Sequence, residues 1–216
     1  MIGKSNYWKE ATVLVLAPHT DDGEIGCGGL IAHAIEQGSK VHYIAFSNAY
    51  VSLPDGLPED TLIKEVYSAT SVLGIPKENL TIYDFPVRNF PTYRQNILQN
   101  MIELRSSIQP TIILCPSLND VHQDHSTIAH EAIRCFKKQS ILCYEEPWNN
   151  INFSTNSFIR LEKRHIDLKV EALKCYHSQS HRSYLNENSV RALATTRGTQ
   201  LEGGYAESFE VIRWML

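Results

Sequence analysis

An α/β protein, with a mainly parallel β-sheet covered by helices on both faces, is what this 216-residue sequence predicts. Short β-branched runs alternate along it with longer amphipathic stretches. The strands also read as continuous apolar runs, the pattern of strands buried on both faces. No internal repeat, low-complexity tract or linker interrupts the alternation, so residues 1–216 are expected to form one domain.

The elements follow in order. Thr12 to Ala17 (TVLVLA) is a buried strand by its unbroken apolar character. A glycine-rich turn leads to a helix expected over Gly28 to Gln37 and stopped by Gly38. Lys40 to Ser47 is a second strand. A loop with Pro54, Gly56 and Pro58 precedes a helix over Glu59 to Leu73, with Gly74 as C-cap and Pro76 just beyond. Leu80 to Phe85, Thr111 to Pro116 and Ile141 to Glu145 are the next strands, separated by helices over Tyr93 to Ile108 and Ser126 to Lys137. After Pro147 the rhythm changes to an Asn/Ser-rich loop and a short strand at Phe158 to Leu161. Ile166, Val170 and Leu173 then stand at helical spacing within 163–176, and "YAESFEVIRWM" closes the chain as a late strand.

Composition excludes several classes. Hydrophobic residues make up 43% and charged residues 20%, with a formal charge of −4, so there is no basic footprint for a nucleic acid. Met1 to Glu10 holds no signal-peptide core, and the longest apolar runs are strand length, too short for a membrane span. Five cysteines without a CxxC pair read as free thiols in a reducing cytoplasm. A small-molecule substrate and cytoplasmic residence follow as expectations, and a homo-oligomer is left open.

The chemistry lies in "APHTDDGEIGCGG", residues 17–29, which follows the first strand at the carboxyl end of a parallel sheet. A dinucleotide site is the obvious reading, but GxGxxG is absent. Asp21, Asp22 and Glu24 stand where a pyrophosphate would approach, each like-charge contact costing about 4 kcal/mol at about 4 Å and an effective dielectric near 20. A cation resolves the conflict. His19 and Asp22 offer a nitrogen and an oxygen, one ligand short of the usual three of catalytic zinc. "NDVHQDHST", residues 119–127, follows the fourth strand and brings His122, Asp124 and His125. Either Asp22 or Asp124 could instead cap a helix, but capping needs no histidine, and the conjunction favours a metal. His33, His42, His130, His165 and His181 lack such company and read as surface or structural histidines.

"PHTDDGEIGCGG" resembles the HPDDE-type motif of the PIG-L/LmbE-like de-N-acetylases, and "HQDH" their second motif, HPDH. "EVYSATSVLGI", "KVEALKCYHSQ" and "YAESFEVIR" extend the similarity over nearly the whole chain. The resemblance implies a Rossmann-like, doubly wound fold, zinc dependence, and removal of acetyl groups from N-acetylglucosamine-containing molecules. It implies His19, Asp22 and His125 as zinc ligands, Asp21 as general base, and His122 as the group that stabilises or protonates developing charge. Asp124 would orient a histidine. The ion is expected once per chain, with iron or another divalent ion able to replace zinc at an N/N/O site.

Two departures stand out. Thr20 and Gly23 replace the family's Pro and Glu, with Glu24 one place later. Leu62, Ile63 and Lys64 precede Glu65, where many members carry a sugar-holding Arg. Arg88, after the third strand, is the candidate to take over substrate binding. "RGTQ" (197–200) and Tyr205 read either as a late lid or as a plain turn. The rivals to sugar deacetylation are hydrolysis of another N-acyl metabolite, with the same metal machinery, and a non-catalytic metal-stabilised binding protein. Asp21 argues against the last, since a degenerate site could discard it.

Overall fold

The computed structural model describes residues 6–215. Seven strands form one sheet: β1 (Thr12–Ala17), β2 (Lys40–Ala45), β3 (Leu80–Ile82), β4 (Ile112–Pro116), β5 (Ser140–Tyr144), β6 (Ser157–Leu161) and β7 (Tyr205–Arg213). Their order is β3-β2-β1-β4-β5-β7-β6. The first five run parallel, as the strand–helix alternation dictates, and β7 lies antiparallel between β5 and β6. The helices are α1 (Asp22–Glu36), α2 (Thr61–Val72), α3 (Phe90–Ile108), α4 (Gln123–Cys135), α5 (Lys163–Lys174) and α6 (Glu187–Gly198).

The central strand shows why the sheet is covered on both sides. Val13, Val15 and Ala17 point into one core with Leu30, Ile31, Val66 and Ala172 from α1, α2 and α5. Leu14 and Leu16 point into the other with Ile97, Met101, Ile128 and Ala132 from α3 and α4. Each large aliphatic chain so withdrawn from water contributes roughly 1.5–3 kcal/mol. The chain winds from β1 outward to β2 and β3, then crosses back to β4 and β5. The carboxyl ends of β1 and β4 therefore sit side by side at the switch point, where open α/β sheets bind ligands.

Most boundaries fall within a few residues of expectation, but α1 begins at Asp22 rather than Gly28. Four glycines lie inside it, each costing about 0.8–1.0 kcal/mol in a helix interior. Packing requires at least two of them. A Cβ on Gly23 would stand 2.5 Å from the Tyr43 ring, and one on Gly26 2.2 Å from that of Tyr144. The helix breaks at Cys27 (φ −145°, ψ 22°). Just beyond the break, Gly29 and Leu30 donate their N–H groups to the buried Glu207 carboxylate of β7, at 2.9 and 2.7 Å. Lys169 of α5 donates to the same carboxylate at 2.6 Å.

α6 was not expected. Residues 197–205 are the end of that helix, a 3-10 turn and the start of β7, and Arg197 donates to Glu145 through Nε at 2.9 Å. The five cysteines are free, and four are buried. Among the described residues no helix is long and apolar enough to cross a membrane.

Candidate metal and active site

His19 stands two residues past β1, and Asp22 opens α1 three residues later. The turn between them is closed by the Asp22 carboxylate, whose Oδ2 accepts the His19 N–H at 2.8 Å. His125 lies in the first turn of α4, beyond the carboxyl end of the neighbouring β4. Three atoms therefore converge. His19 Nδ1 is 3.1 Å from Asp22 Oδ2, and His125 Nε2 is 3.3 Å from both. A tetrahedral zinc with bonds of about 2.0–2.1 Å has ligands about 3.3–3.4 Å apart. The triangle has the size of one face of such a tetrahedron.

The surroundings favour a cation there. His19 Nε2 is 3.2 Å from Asp124 Oδ2, and His125 Nδ1 is 2.9 Å from Asp120 Oδ2. Each ring thus has a carboxylate behind it and its other nitrogen facing the centre, the arrangement that orients metal-bound histidines. Glu146 is fully buried nearby. Neither of its carboxylate oxygens has a hydrogen-bond partner, although Oε2 lies 3.3 Å from His125 Nδ1. Burial alone would push His19 down, but Asp22 and Asp124 hold its imidazole up at about 9. His125 is raised in the same way, chiefly by Asp22 and Glu146 against burial. Four acids around two imidazoles, one acid orphaned, make a site short of positive charge. The donor set and its size fit a divalent ion.

Asp21 and Asp22 are adjacent but differently placed. Asp21 is the N-cap residue of α1, yet its side chain makes no capping bond. It lines a cleft of about 200 Å³ together with His19, Arg88, His122, Trp148, Arg182 and Tyr184. Burial, then the charge of Asp22, raises its carboxyl to about 6; a cation at the triangle would pull it back down. His122 caps α4, its Nδ1 accepting the Asp124 N–H at 3.2 Å. That bond assigns the neutral ring's proton to Nε2. Burial and the two neighbouring histidines lower His122 to about 4, so at neutral pH it is an uncharged donor at the cleft.

The N-cap of α4 is His122, and Asp124 does not cap its own helix. Its oxygens accept from the backbone of Arg88 at 2.5 Å and Phe90 at 3.1 Å, besides facing His19. Arg88 is thereby brought to the cleft. Leu62 lines it too, while Lys64 pairs outside it with Asp60 at 2.7 Å, so α2 supplies no cation here. Residues 197–205 do not line this cleft.

Sequence reasoning missed Asp120, Glu146, Trp148, Arg182 and Tyr184. Asp120 had a local signal, two residues before His122 in the same motif, and Glu146 stands just past the carboxyl end of β5. The others arrive on loops with no pattern of their own. Glu24, by contrast, is excluded from the cleft. The Tyr43 and Tyr176 hydroxyls hold its carboxyl, the latter at 3.1 Å.

His33 and His165 are not solitary, as the sequence suggested. They meet at 5.1 Å beside Glu36. His165 Nδ1 accepts the Glu162 N–H at 3.1 Å, leaving the proton on Nε2 to face Glu36 at 2.8 Å. Arg164 also binds Glu36. A neutral ring with one nitrogen accepting and the other protonated has no lone pair for a metal, so this group ties α1 to α5.

A curated relative, the uncharacterized deacetylase YaiS of Escherichia coli K12, is 24% identical over 176 residues, covering 79% of this chain and 92% of its own. Among solved structures, the N,N'-diacetylchitobiose deacetylase of Pyrococcus horikoshii superposes with a TM-score of 0.80 at 21% identity, over 98% of this chain and 87% of that one. GalB, the 4-carboxy-2-hydroxymuconate hydratase of Pseudomonas putida KT2440, gives 0.76 at 21% identity, over 95% and 98%. These two likenesses show the fold. The family described as PIG-L: GlcNAc-PI de-N-acetylase matches residues 14–136, more than half of the chain and including both sides of the triangle, and the chain belongs to the PIG-L family.

Proposed function

We propose that the protein is a zinc-dependent hydrolase that removes the N-acetyl group from an amino-sugar substrate of the N-acetylglucosamine type, with residues 1–216 working as one domain in the cytoplasm. The observation that carries the reading is the triangle of His19 Nδ1, Asp22 Oδ2 and His125 Nε2 with an uncommitted carboxylate, Asp21, beside it in the cleft. These three residues hold the ion. When bound by three protein ligands, such an ion supplies Lewis acidity towards an amide carbonyl and towards water.

The chain's own residues do the rest. Asp21 accepts the proton of the attacking water and passes it to the leaving nitrogen. His122 donates from Nε2 to the oxygen of the tetrahedral intermediate, a contact typically worth about 2.7–4 kcal/mol. Asp124 and Asp120 hold the rings of His19 and His125. Arg88 contacts the sugar.

A hydratase shares this fold, so the assay must read bond cleavage itself. Zinc-loaded protein is incubated with N-acetylglucosamine, N,N'-diacetylchitobiose and an N-acetyl amino acid, and acetate and free amine are quantified. Release from the sugars that stops on chelation is expected. Release from the amino acid alone would move the protein to another N-acyl amide, and release from none would make it a binding protein.

A further inference from the structure

Two arginines, Arg88 and Arg182, line the cleft, and among the described residues neither is paired with a carboxylate. Other arginines of this chain are paired: Arg94 and Arg134 with Glu131, Arg164 with Glu36, Arg191 with Glu187, Arg197 with Glu145. Arg105, Arg160 and Arg213 donate to backbone carbonyls instead, so among the described residues the two arginines with neither kind of acceptor are those that line the cleft.

Arg182 is half-buried, in the loop after α5. One terminal nitrogen donates to the Tyr184 hydroxyl, a neutral acceptor, while its Nε is buried with no acceptor. Tyr184 is itself stacked on Trp148, ring centroids 3.8 Å apart and planes 10° from parallel. The guanidinium is therefore anchored at one nitrogen with a buried donor unmet, a standing cost that a bound acceptor removes. Asp21 and Asp22 lie within its field, but no ion pair joins them to it. Arg88 is held at φ 66°, the left-handed region where glycine costs least. Its N–H is fixed on Asp124, and its carbonyl accepts from Gln123 Nε2 at 3.1 Å. Both peptide groups of a strained arginine are clamped so that it stands at the cleft.

We infer that the substrate is an N-acetylated sugar bearing an anionic group, phosphate or carboxylate, and that Arg182 together with Arg88 holds that group. The inference rests on the deacetylase reading and narrows its substrate class. A guanidinium fork matches either oxyanion with paired, charge-assisted hydrogen bonds.

The test compares N-acetylglucosamine, N-acetylglucosamine 1-phosphate and N-acetylmuramic acid on zinc-loaded wild type, R182Q and R182K. Acetate release gives kcat/KM and calorimetry gives Kd. Wild type should prefer at least one anionic sugar by about tenfold or more, with the two acids telling phosphate from carboxylate. Added salt should shrink the preference. R182Q should bring the ratio of anionic to neutral kcat/KM towards one, and R182K should restore part of it. Metal content and Tm of both variants check their folding. No preference in wild type would overturn the inference. So would an equal loss on all three sugars in R182Q, which would mean that Arg182 acts through Asp21. If no sugar released acetate but the Arg182-dependent preference persisted in calorimetry, the deacetylase reading would fail and the anion clamp would stand.

Discussion

Replacing Asp120 by Asn should weaken metal binding although Asp120 does not touch the ion's position. Its two oxygens have separate tasks. Oδ1 accepts the His122 N–H at 2.8 Å, and Oδ2 faces His125 Nδ1 at 2.9 Å. An amide keeps only one acceptor. If that oxygen stays with the His122 backbone, the new NH₂ faces Nδ1, which must then accept; the ring proton moves to Nε2, the atom that points into the triangle. If the amide turns the other way, the His122 N–H loses its acceptor and the start of α4 loosens. Either outcome costs the ligand its preparation.

Loss of such a carboxylate behind a metal-bound histidine typically weakens affinity about 10–100-fold, or about 1.4–2.8 kcal/mol at about 1.4 kcal/mol per decade. The assay is zinc titration against a competing chelating dye, wild type beside D120N. D60N is the control, because Asp60 makes only an exposed pair with Lys64. A D120N affinity within about twofold of wild type would refute the argument and leave Glu146 as the group that orients His125.

Asp22→Asn should lose metal, whereas Asp21→Asn should keep it and lower kcat by roughly 10²–10⁴-fold, the usual size of general-base catalysis; metal analysis and turnover on the same preparations separate the two. Gly23→Ala should cost about 1–3 kcal/mol of stability, since its Cβ would meet the Tyr43 ring at 2.5 Å; an unchanged urea midpoint would mean that Tyr43 moves freely. Glu36 is held down at about 2 by hydrogen bonds from Arg164 and then His165. A depressed carboxyl stabilises above its ordinary pKa of about 4.5 and loses that contribution as pH falls through about 2. Glu36→Gln should therefore be slightly less stable than wild type at pH 7, with the gap shrinking from about pH 4.5 and closing below about pH 2; a gap that does not shrink in acid would indicate packing instead of charge.

The parallel core was legible because its signal is local. TVLVLA and TIILCP are apolar at every position, as strands covered on both faces must be. The convergence of His19, Asp22 and His125 was legible for a different reason: β1 and β4 are neighbours at the switch point, so two motifs about 100 residues apart in sequence had to end side by side. α6 escaped because "ENSVRALATTRG" buries little, only Val190, Ala194 and Gly198. Its remaining cue was Asn186, which does cap it, accepting the Asn188 N–H at 2.8 Å. The start of α1 was misjudged because glycine's poor helix propensity describes an isolated chain. Here Tyr43 and Tyr144 occupy the space that side chains would need. Arg182 and Trp148 lay beyond reach, since nothing in a loop's composition says which cleft it will line.

The displaced glutamate of the first motif has the same physical origin. Gly23 leaves room for the Tyr43 ring, and the acid one place later, Glu24, turns inward to meet it, with no exposed surface. The Tyr43 and Tyr176 hydroxyls reach both Glu24 and the Thr20 carbonyl, the latter at 2.9 and 2.7 Å. Thr20 lies between His19 and the two aspartates, so this buried cluster braces the backbone that sets the triangle. Burial raises the Glu24 carboxyl to about 8, which suits a neutral brace and not a base. Of the three acids in "DDGE", one closes on the His19–His125 pair and one is built into the core. Asp22 lines the cleft as well, but its carboxylate is engaged with His19, whereas that of Asp21 is unspent on capping. A carboxylate left unused by the fold, in the cleft beside the triangle, is the strongest physical reason to propose Asp21 for the proton transfer.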